Sequence, residues 1–181
     1  MTVQLRLATI DDLDDLLAWD RDPDVAFSGG DDDSYDWAFE INRSVNWQEI
    51  LIATENQRPI GVVVVLNAAQ EESHYWGTDV AADTWAIDIW IGSNADRSKG
   101  FGTQMIEAAL DRCFNQHQAI TVVIDPLIVN EKAIRFYRRI GFHEVGMRRF
   151  GDDDCLVMKI TRTEHQDRIE NRQNDGEKSA Q

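Results

Sequence analysis

Several residue types are scarce in this 181-residue chain, and each scarcity closes off a class of explanation. There are two cysteines, Cys113 and Cys155, too few for a disulfide framework. One falls on an apolar helical pattern and the other opens a strand-like run, so both are expected as buried core thiols. Four histidines are scattered without ligand spacing, and no metal site is expected. No segment approaches the roughly 20 apolar residues of a membrane span. The N-terminus carries no basic-then-apolar leader, so a cytoplasmic location is expected. Positive charge is scarce as well: 18 Lys and Arg stand against 33 Asp and Glu, a formal net charge of −15. That balance disfavours nucleic acid and acidic membranes as partners. Three explanations of it stay open: a cationic small-molecule ligand, solubility, and salt adaptation.

What is present suffices for one core. Apolar residues make up 43% of the chain, and the length fits one domain, read as residues 1–162. From residue 163 the chain is polar with Ile169 as its lone apolar anchor, and 163–181 is expected to be a disordered tail. Composition does not choose between a monomer and a homodimer.

The most informative stretch runs from Trp85 to Phe114. Trp85 to Ile91 is apolar except for Asp88, which reads as a buried strand carrying one carboxylate. Such a group must be paired, hydrated at an opening, or chemically employed. Arg97, Gly100 and Gly102 follow, and then Phe101, Met105, Ile106, Ala109, Leu110, Cys113 and Phe114 recur with a helical period. Strand, glycine turn and helix together form a common anion-binding arrangement, because first-turn amides point at the turn. A third glycine is missing for a dinucleotide fingerprint, and no Gly-Lys-Ser/Thr completes a phosphate loop. An ordinary glycine-bearing turn remains the competing explanation.

Around that centre, Val3 to Leu7 alternates like a strand, and Thr9 with Asp12 forms a helix-capping pattern before Leu13, Leu16 and Leu17. Residues 20–33 hold six aspartates with Pro23, Gly29 and Gly30, and read as a loop, either a lid or plain surface. A helix is expected over 34–44, capped by Ser34. An antiparallel pair is expected over 49–54 and 60–66. Residues 67–84 lose periodicity while offering carboxylates among aromatics. Ile120 to Ile124 reads as a strand ending at Asp125-Pro126. A helix from Asn130 to Ile140 stops at Gly141, and a hairpin over 142–160 turns at 151–154. The sum is an α/β chain (α+β by some schemes), a mixed, mostly antiparallel sheet of six to seven strands with helices on both faces.

The run Arg97-Ser-Lys-Gly-Phe-Gly102 resembles the acyl-coenzyme A pyrophosphate motif of the GNAT superfamily of N-acetyltransferases. Asn130-Glu-Lys-Ala-Ile-Arg-Phe-Tyr137 and Arg138-Arg-Ile-Gly-Phe142 match the same family, in order and in spacing. Ala86-Ile-Asp-Ile89, Ile124-Asp-Pro126, Leu5-Arg-Leu7 and Pro59-Ile-Gly61 narrow the likeness to the aminoglycoside 6′-N-acetyltransferases, over about residues 3–160.

The resemblance implies a GNAT fold, its sheet splayed at the centre, and acetyl-CoA as acyl donor. It implies that Ile89 and Ile91 hold the pantetheine arm. Arg97, Ser98, Lys99, Gly100, Phe101, Gly102 and Thr103 would take the pyrophosphate, and Asn130 and Ala133 would lie along the coenzyme. Asp88 is implied as general base, or as an anchor for an ammonium group, and Tyr137 as general acid to the leaving thiolate. Glu72, Tyr75, Trp76, Asp88, Asp125 and Asp152 would receive a cationic acceptor. Where the family has a further substrate-binding aspartate this chain has Ser73, with Glu72 adjacent. Three alternatives stand beside the aminoglycoside reading: a polyamine or siderophore-precursor acetyltransferase, a protein acetyltransferase, and a non-catalytic coenzyme A-binding module.

Overall fold

The computed structural model describes residues 2–29 and 35–178. Strands β1 (Val3–Leu7), β2 (Gln48–Glu55), β3 (Arg58–Asn67), β4 (Thr84–Ile91), β5 (Thr121–Ile124), β6 (His143–Phe150) and β7 (Asp153–Thr161) form one sheet, ordered β1-β2-β3-β4-β5-β7-β6. Every neighbouring pair is antiparallel except β4 and β5. This is the mixed seven-stranded sheet expected from the sequence. Helices α4 (Phe101–Asp111) and α5 (Glu131–Ile140) share one apolar core with Leu51, Val63, Val65 and Ile87. Leu16, Trp19 and Trp37 form a second with Ile52, Val62 and Val64 on the opposite face. The first two come from α1 (Leu13–Trp19) and the third from α3 (Trp37–Asn42). The two-residue alternation of β2 and β3 supplies both cores at once.

The feature that makes room for a site is the parting of β4 from β5. Their parallel pairing covers Thr84↔Thr121, Trp85↔Val122 and Ala86↔Val123, and stops there. Beyond it β4 continues to Ile91 on β3 alone. The chain after Ile124 leans toward β7: the Leu156 amide donates to the Pro126 carbonyl at 2.9 Å, and Ile128 donates to Asp154 at 2.9 Å. On β4, the Thr84 carbonyl and the Gly92 amide bond toward the β3 side. Backbone groups alternate sides along a strand, so Ile87, Ile89 and Ile91 turn theirs toward the opening.

Three sequence expectations change. Residues 20–33 were expected as loop, yet α2 (Pro23–Gly29) is helical, with Pro23 at a first-turn position where its missing N–H costs nothing. The helix expected over 34–44 shortens to α3, capped by Asp36, whose carboxylate accepts the Phe39 amide at 3.1 Å. The expected cap Ser34 and residues 30–33 lie outside the described residues. The expected tail is instead helix α6 (Arg162–Lys178) over all but its last three residues, 179–181, which are not described. Its start is a capping box, with the Thr161 amide donating to Glu164 at 2.7 Å and the Glu164 amide donating to Thr161 Oγ1 at 3.3 Å. Charge pairs then dock it on α4: Arg168 reaches both Glu107 oxygens, at 2.7 and 2.5 Å, and Arg172 reaches one at 3.0 Å. Buried His165 packs against Phe114. A helix held by ion pairs rather than an apolar stripe leaves no hydropathy signal.

Gly61 sits where β3 passes under β4. A Cβ there would stand 2.4 Å from the Trp90 carbonyl oxygen and 2.9 Å from the Met105 methyl group. Gly61→Ala is therefore expected to destabilise the fold by about 2 kcal/mol, lowering the thermal midpoint by about 4–8 °C. A melt within 1 °C (about a quarter of that minimum shift) of the parent chain would show that the strands can slide apart there.

Candidate active site

Where β4 and β5 part, a cavity of about 1000 Å³ opens, running from the α1–α3 side to Asn130, Ala133 and Tyr137 on α5. Its floor is Asp88. This residue shares its face of β4 with Ala86 and Trp90 and alternates with Ile87, so its side chain leaves the core that Ile87 enters. Asp88 Oδ2 accepts a hydrogen bond from the Tyr35 hydroxyl at 2.7 Å. Burial raises the Asp88 carboxyl above the ordinary range, and the Tyr35 hydrogen bond opposes the shift.

Asp125 sits just past the end of β5, where the sheet has opened, and accepts from the Tyr75 hydroxyl at 2.6 Å. Burial, then the nearby Asp88 charge, push its carboxyl up to about 7; Tyr75 and Arg148 pull the other way. Tyr137, buried on α5, has its phenol raised by burial and by the Asp88 and Asp125 charges, so it keeps its proton. These three residues meet at the gap between strands. Two carboxylates in one poorly hydrated space cannot both ionise freely, which makes the site a natural store for a proton or a receptor for a cation.

The other expected acceptor residues divide. Tyr75 and Trp76 line the cavity, Tyr75 stacked on Phe150 with centroids 4.2 Å apart. Glu72 also lines it, but its carboxylate pairs with Arg43 at 2.9 Å. Asp152 does not join them: it is exposed at the β6–β7 turn and pairs with Arg149 at 3.1 Å. The turn is two residues, Gly151-Asp152, so strand alternation aims Asp153 rather than Asp152 at the cavity.

In the turn expected to take a pyrophosphate, Ser98 and Gly100 both adopt left-handed backbone, with φ of 63° and 82°, and Gly100 caps α4. Space beside Gly100 is open, with nothing within 4 Å of where a Cβ would stand. The amides of Phe101, Gly102 and Thr103 lie in the first turn and have no acceptor within the helix. Lys99 is half exposed, 3.5 Å from Asp96. Arg97 is engaged elsewhere: its guanidinium bonds Asp22 at 2.7 Å, Asp24, and the Ile91 carbonyl at 3.3 Å. The Asn130 side chain caps α5 by accepting the Ala133 amide at 3.1 Å.

Several wall residues were not singled out from the sequence: Tyr35, Asp20, Glu40, Arg43, Trp90 and Asp153; Glu71, one of the carboxylates of the 67–84 stretch, joins them. Arg43 closes one end, bridging Glu40 at 3.1 Å and Glu72, with its guanidinium over Phe39 and Trp47. Glu71 accepts from the Ser73 amide and hydroxyl on one oxygen, while its other oxygen and the Trp90 indole N–H are buried without partners among the described residues. None of these positions carries a motif. A run of alternating acids and aromatics was the available signal, and only the folded chain sorts it.

Residues 9–150 match the model of the acetyltransferase (GNAT) domain. The chain belongs to this family. An aminoglycoside N(6′)-acetyltransferase type 1 from Klebsiella pneumoniae is 29% identical over 168 residues, covering 89% of this chain and 84% of that one. The solved structure of AAC(6′)-Ib in complex with ribostamycin and coenzyme A superposes with a TM-score of 0.80 at 25% identity, over 92% of this chain and 97% of that one. A spermidine N-acetyltransferase chimera from Vibrio cholerae and a second source superposes at 0.72 with 18% identity, over 91% of this chain and 98% of that one. The GNAT fold is thus shared by proteins named for different amines, and the acceptor has to be argued from the cavity. No helix among the described residues is long and apolar enough to cross a membrane.

Asp125 yields a pH-dependent signature of this GNAT domain. Folded, it holds its proton up to about pH 7; unfolded, it releases it near the ordinary value of about 3.9. The stability it contributes is fully present below about pH 4 and lost as pH rises through about 7. Asp125→Asn should therefore gain on the parent chain between those limits, by about 1.4 kcal/mol for each pH unit separating the two values. Urea unfolding at a series of pH values measures the difference; a constant offset would mean that Asp125 titrates normally.

Proposed function

We propose that this chain transfers the acetyl group of acetyl-CoA to a primary amine of a cationic small molecule, with the 6′-amine of aminoglycosides as the acceptor. The observation that carries the reading is the meeting of Asp88, Asp125 and Tyr137 at the gap where β4 leaves β5. Family membership and the aminoglycoside relatives support it.

The residues fit an acyl-coenzyme A. Peptide groups of Ile89 and Ile91 face the opening and offer an extended pantetheine arm the hydrogen bonds that β5 no longer takes. First-turn amides of α4, beside the open Gly100, offer a pyrophosphate both donors and the positive helix end. Asn130 and Ala133 lie along the continuation of the same cavity. In this geometry Arg97 first has to release Asp22 and Asp24 to reach a phosphate.

An acceptor amine arrives as an ammonium, which the two carboxylates attract. Asp88, its proton affinity raised by burial, takes one proton from that nitrogen. The freed lone pair adds to the thioester carbonyl carbon, the carbon–sulfur bond breaks, and the departing thiolate takes up the second proton that the nitrogen sheds as the amide forms. Tyr137 holds its proton too tightly to give it up to an ordinary thiol, whose value lies near about 8.5. Its role is to steady the departing sulfur by hydrogen bonding, and the proton held by Asp88 leaves with solvent. Positioning of the two reactants supplies much of the acceleration.

A second reading, a smaller amine bearing fewer charges, is favoured by Arg43, which already neutralises Glu40 and Glu72 at one end of the cavity.

Thiol release from acetyl-CoA across kanamycin, tobramycin, spermidine, N6-hydroxylysine and a basic peptide tests the proposal. Aminoglycoside turnover is expected with KM between about 1 μM and 1 mM. Asp88→Asn should lower kcat by about 10²–10⁴-fold, and Tyr137→Phe should lower it by about tenfold, the value of one hydrogen bond to a developing charge. Turnover confined to spermidine moves the assignment to the smaller amine, and coenzyme A binding without turnover of any amine leaves a non-catalytic module.

A further inference from the structure

Asp88, like Asp125, is oriented through a connected series of aromatic side chains, and its own series reaches into the buried core behind α3. The Tyr35 hydroxyl donates to Oδ2 at 2.7 Å. The Tyr35 ring lies flat on Trp37, centroids 4.6 Å apart at 17°. Trp37 is 1% exposed, and its indole N–H donates to Asp20 at 2.7 Å. A buried indole anchored at its polar end therefore sets where the Tyr35 hydroxyl stands. Asp88 Oδ1 takes no hydrogen bond among the described residues.

We propose that Tyr35 is a positioning residue for acetyl transfer: its hydroxyl holds one oxygen of Asp88 so that the other is presented to the acceptor nitrogen. This rests on the reading above. Tyr35 keeps its own proton throughout; the proton that moves passes from the acceptor nitrogen to Oδ1 and frees the lone pair that then attacks the thioester. A phenol suits this task better than a guanidinium. Both would orient the carboxylate, but the guanidinium would cancel the charge that attracts an ammonium, whereas the hydroxyl favours the ionised carboxylate and leaves that charge in place. The other titratable groups that act on Asp88 are Asp125 after β5 and Tyr137 on α5, with Arg148 on β6 acting through Asp125, while Asp20 after α1 lines the same cavity.

The acid limb of kcat/KM against pH reports the base in the free enzyme. Tyr35→Phe keeps the ring and its stack but loses the donor, so the limb should move up by about one pH unit, with most of the rate recovered above it. Trp37→Phe loosens the stack while keeping the hydroxyl, so it should lower kcat without moving the limb. A limb unmoved in Tyr35→Phe, or moved equally in both variants, overturns the proposal. Carbon-13 carboxylate NMR gives a reading that needs no turnover: the Asp88 signal, identified by its loss in Asp88→Asn, should titrate about one pH unit higher in Tyr35→Phe. If the parent chain acetylates no amine, the transfer reading fails by itself, and an unmoved Asp88 titration would separately show that Tyr35 does not hold the carboxylate.

Discussion

Everything chemical in this molecule depends on an interrupted ladder. Two parallel strands stay paired for three residues and then separate, leaving the far half of β4 with peptide groups that no neighbouring strand receives. Buried backbone donors and acceptors without partners are costly, so such a gap persists only where the surroundings hold it open. Here β3 braces β4 along its whole other side, and β7 draws away the chain that follows β5. The gap exposes backbone, and it admits side chains from both faces of the sheet. Asp88 reaches it from one side and Tyr137 from the other, which no continuous ladder would permit.

The charge distribution follows a related logic. Four arginines serve as staples on half-buried or buried carboxylates: Arg6 on Asp12, Arg58 on Asp96, Arg112 on Glu49, Arg168 on Glu107. Each holds its carboxylate below the ordinary range. At the gap the pattern reverses. Asp88 and Asp125 are met by tyrosine hydroxyls, which satisfy an oxygen without neutralising it, and burial raises both. The formal −15 of the chain is thus a surplus left after structural pairing, and only a small part of it faces the cavity.

How much of this was legible in the sequence varied with the kind of signal. The stretch from Trp85 to Phe142 announced itself, because strand, left-handed glycine cap, helix and asparagine-capped helix each carry a local physical requirement. The parting of β4 and β5 left its mark in Asp125-Pro126. What failed to appear were features fixed by tertiary contacts. Helix α6 is charged on every side and is held by Glu107, some sixty residues earlier. Asp152 and Asp153 differ only in which way a two-residue turn leaves them pointing. Glu72 was read as open to an acceptor, and only folding brings Arg43 to it. Tyr35 carries no sequence signal, and only the folded chain, through its stack on Trp37, brings its hydroxyl to Asp88.

The two walls of the cavity are built differently. The coenzyme side consists of sheet, helix start and tight turn, where a changed residue disturbs hydrogen bonds that the whole fold shares. The side proposed to receive the acceptor draws, beside Asp88 and its strand neighbours, on α2, α3 and the 67–83 connection, none of which contributes a strand. Substitutions there can change the size, charge and aromatic content of the wall while leaving the sheet register untouched. If the proposed function holds, the fit to an amine can thus be retuned one connection residue at a time, at no cost to the ladder hydrogen bonds that keep the sheet folded.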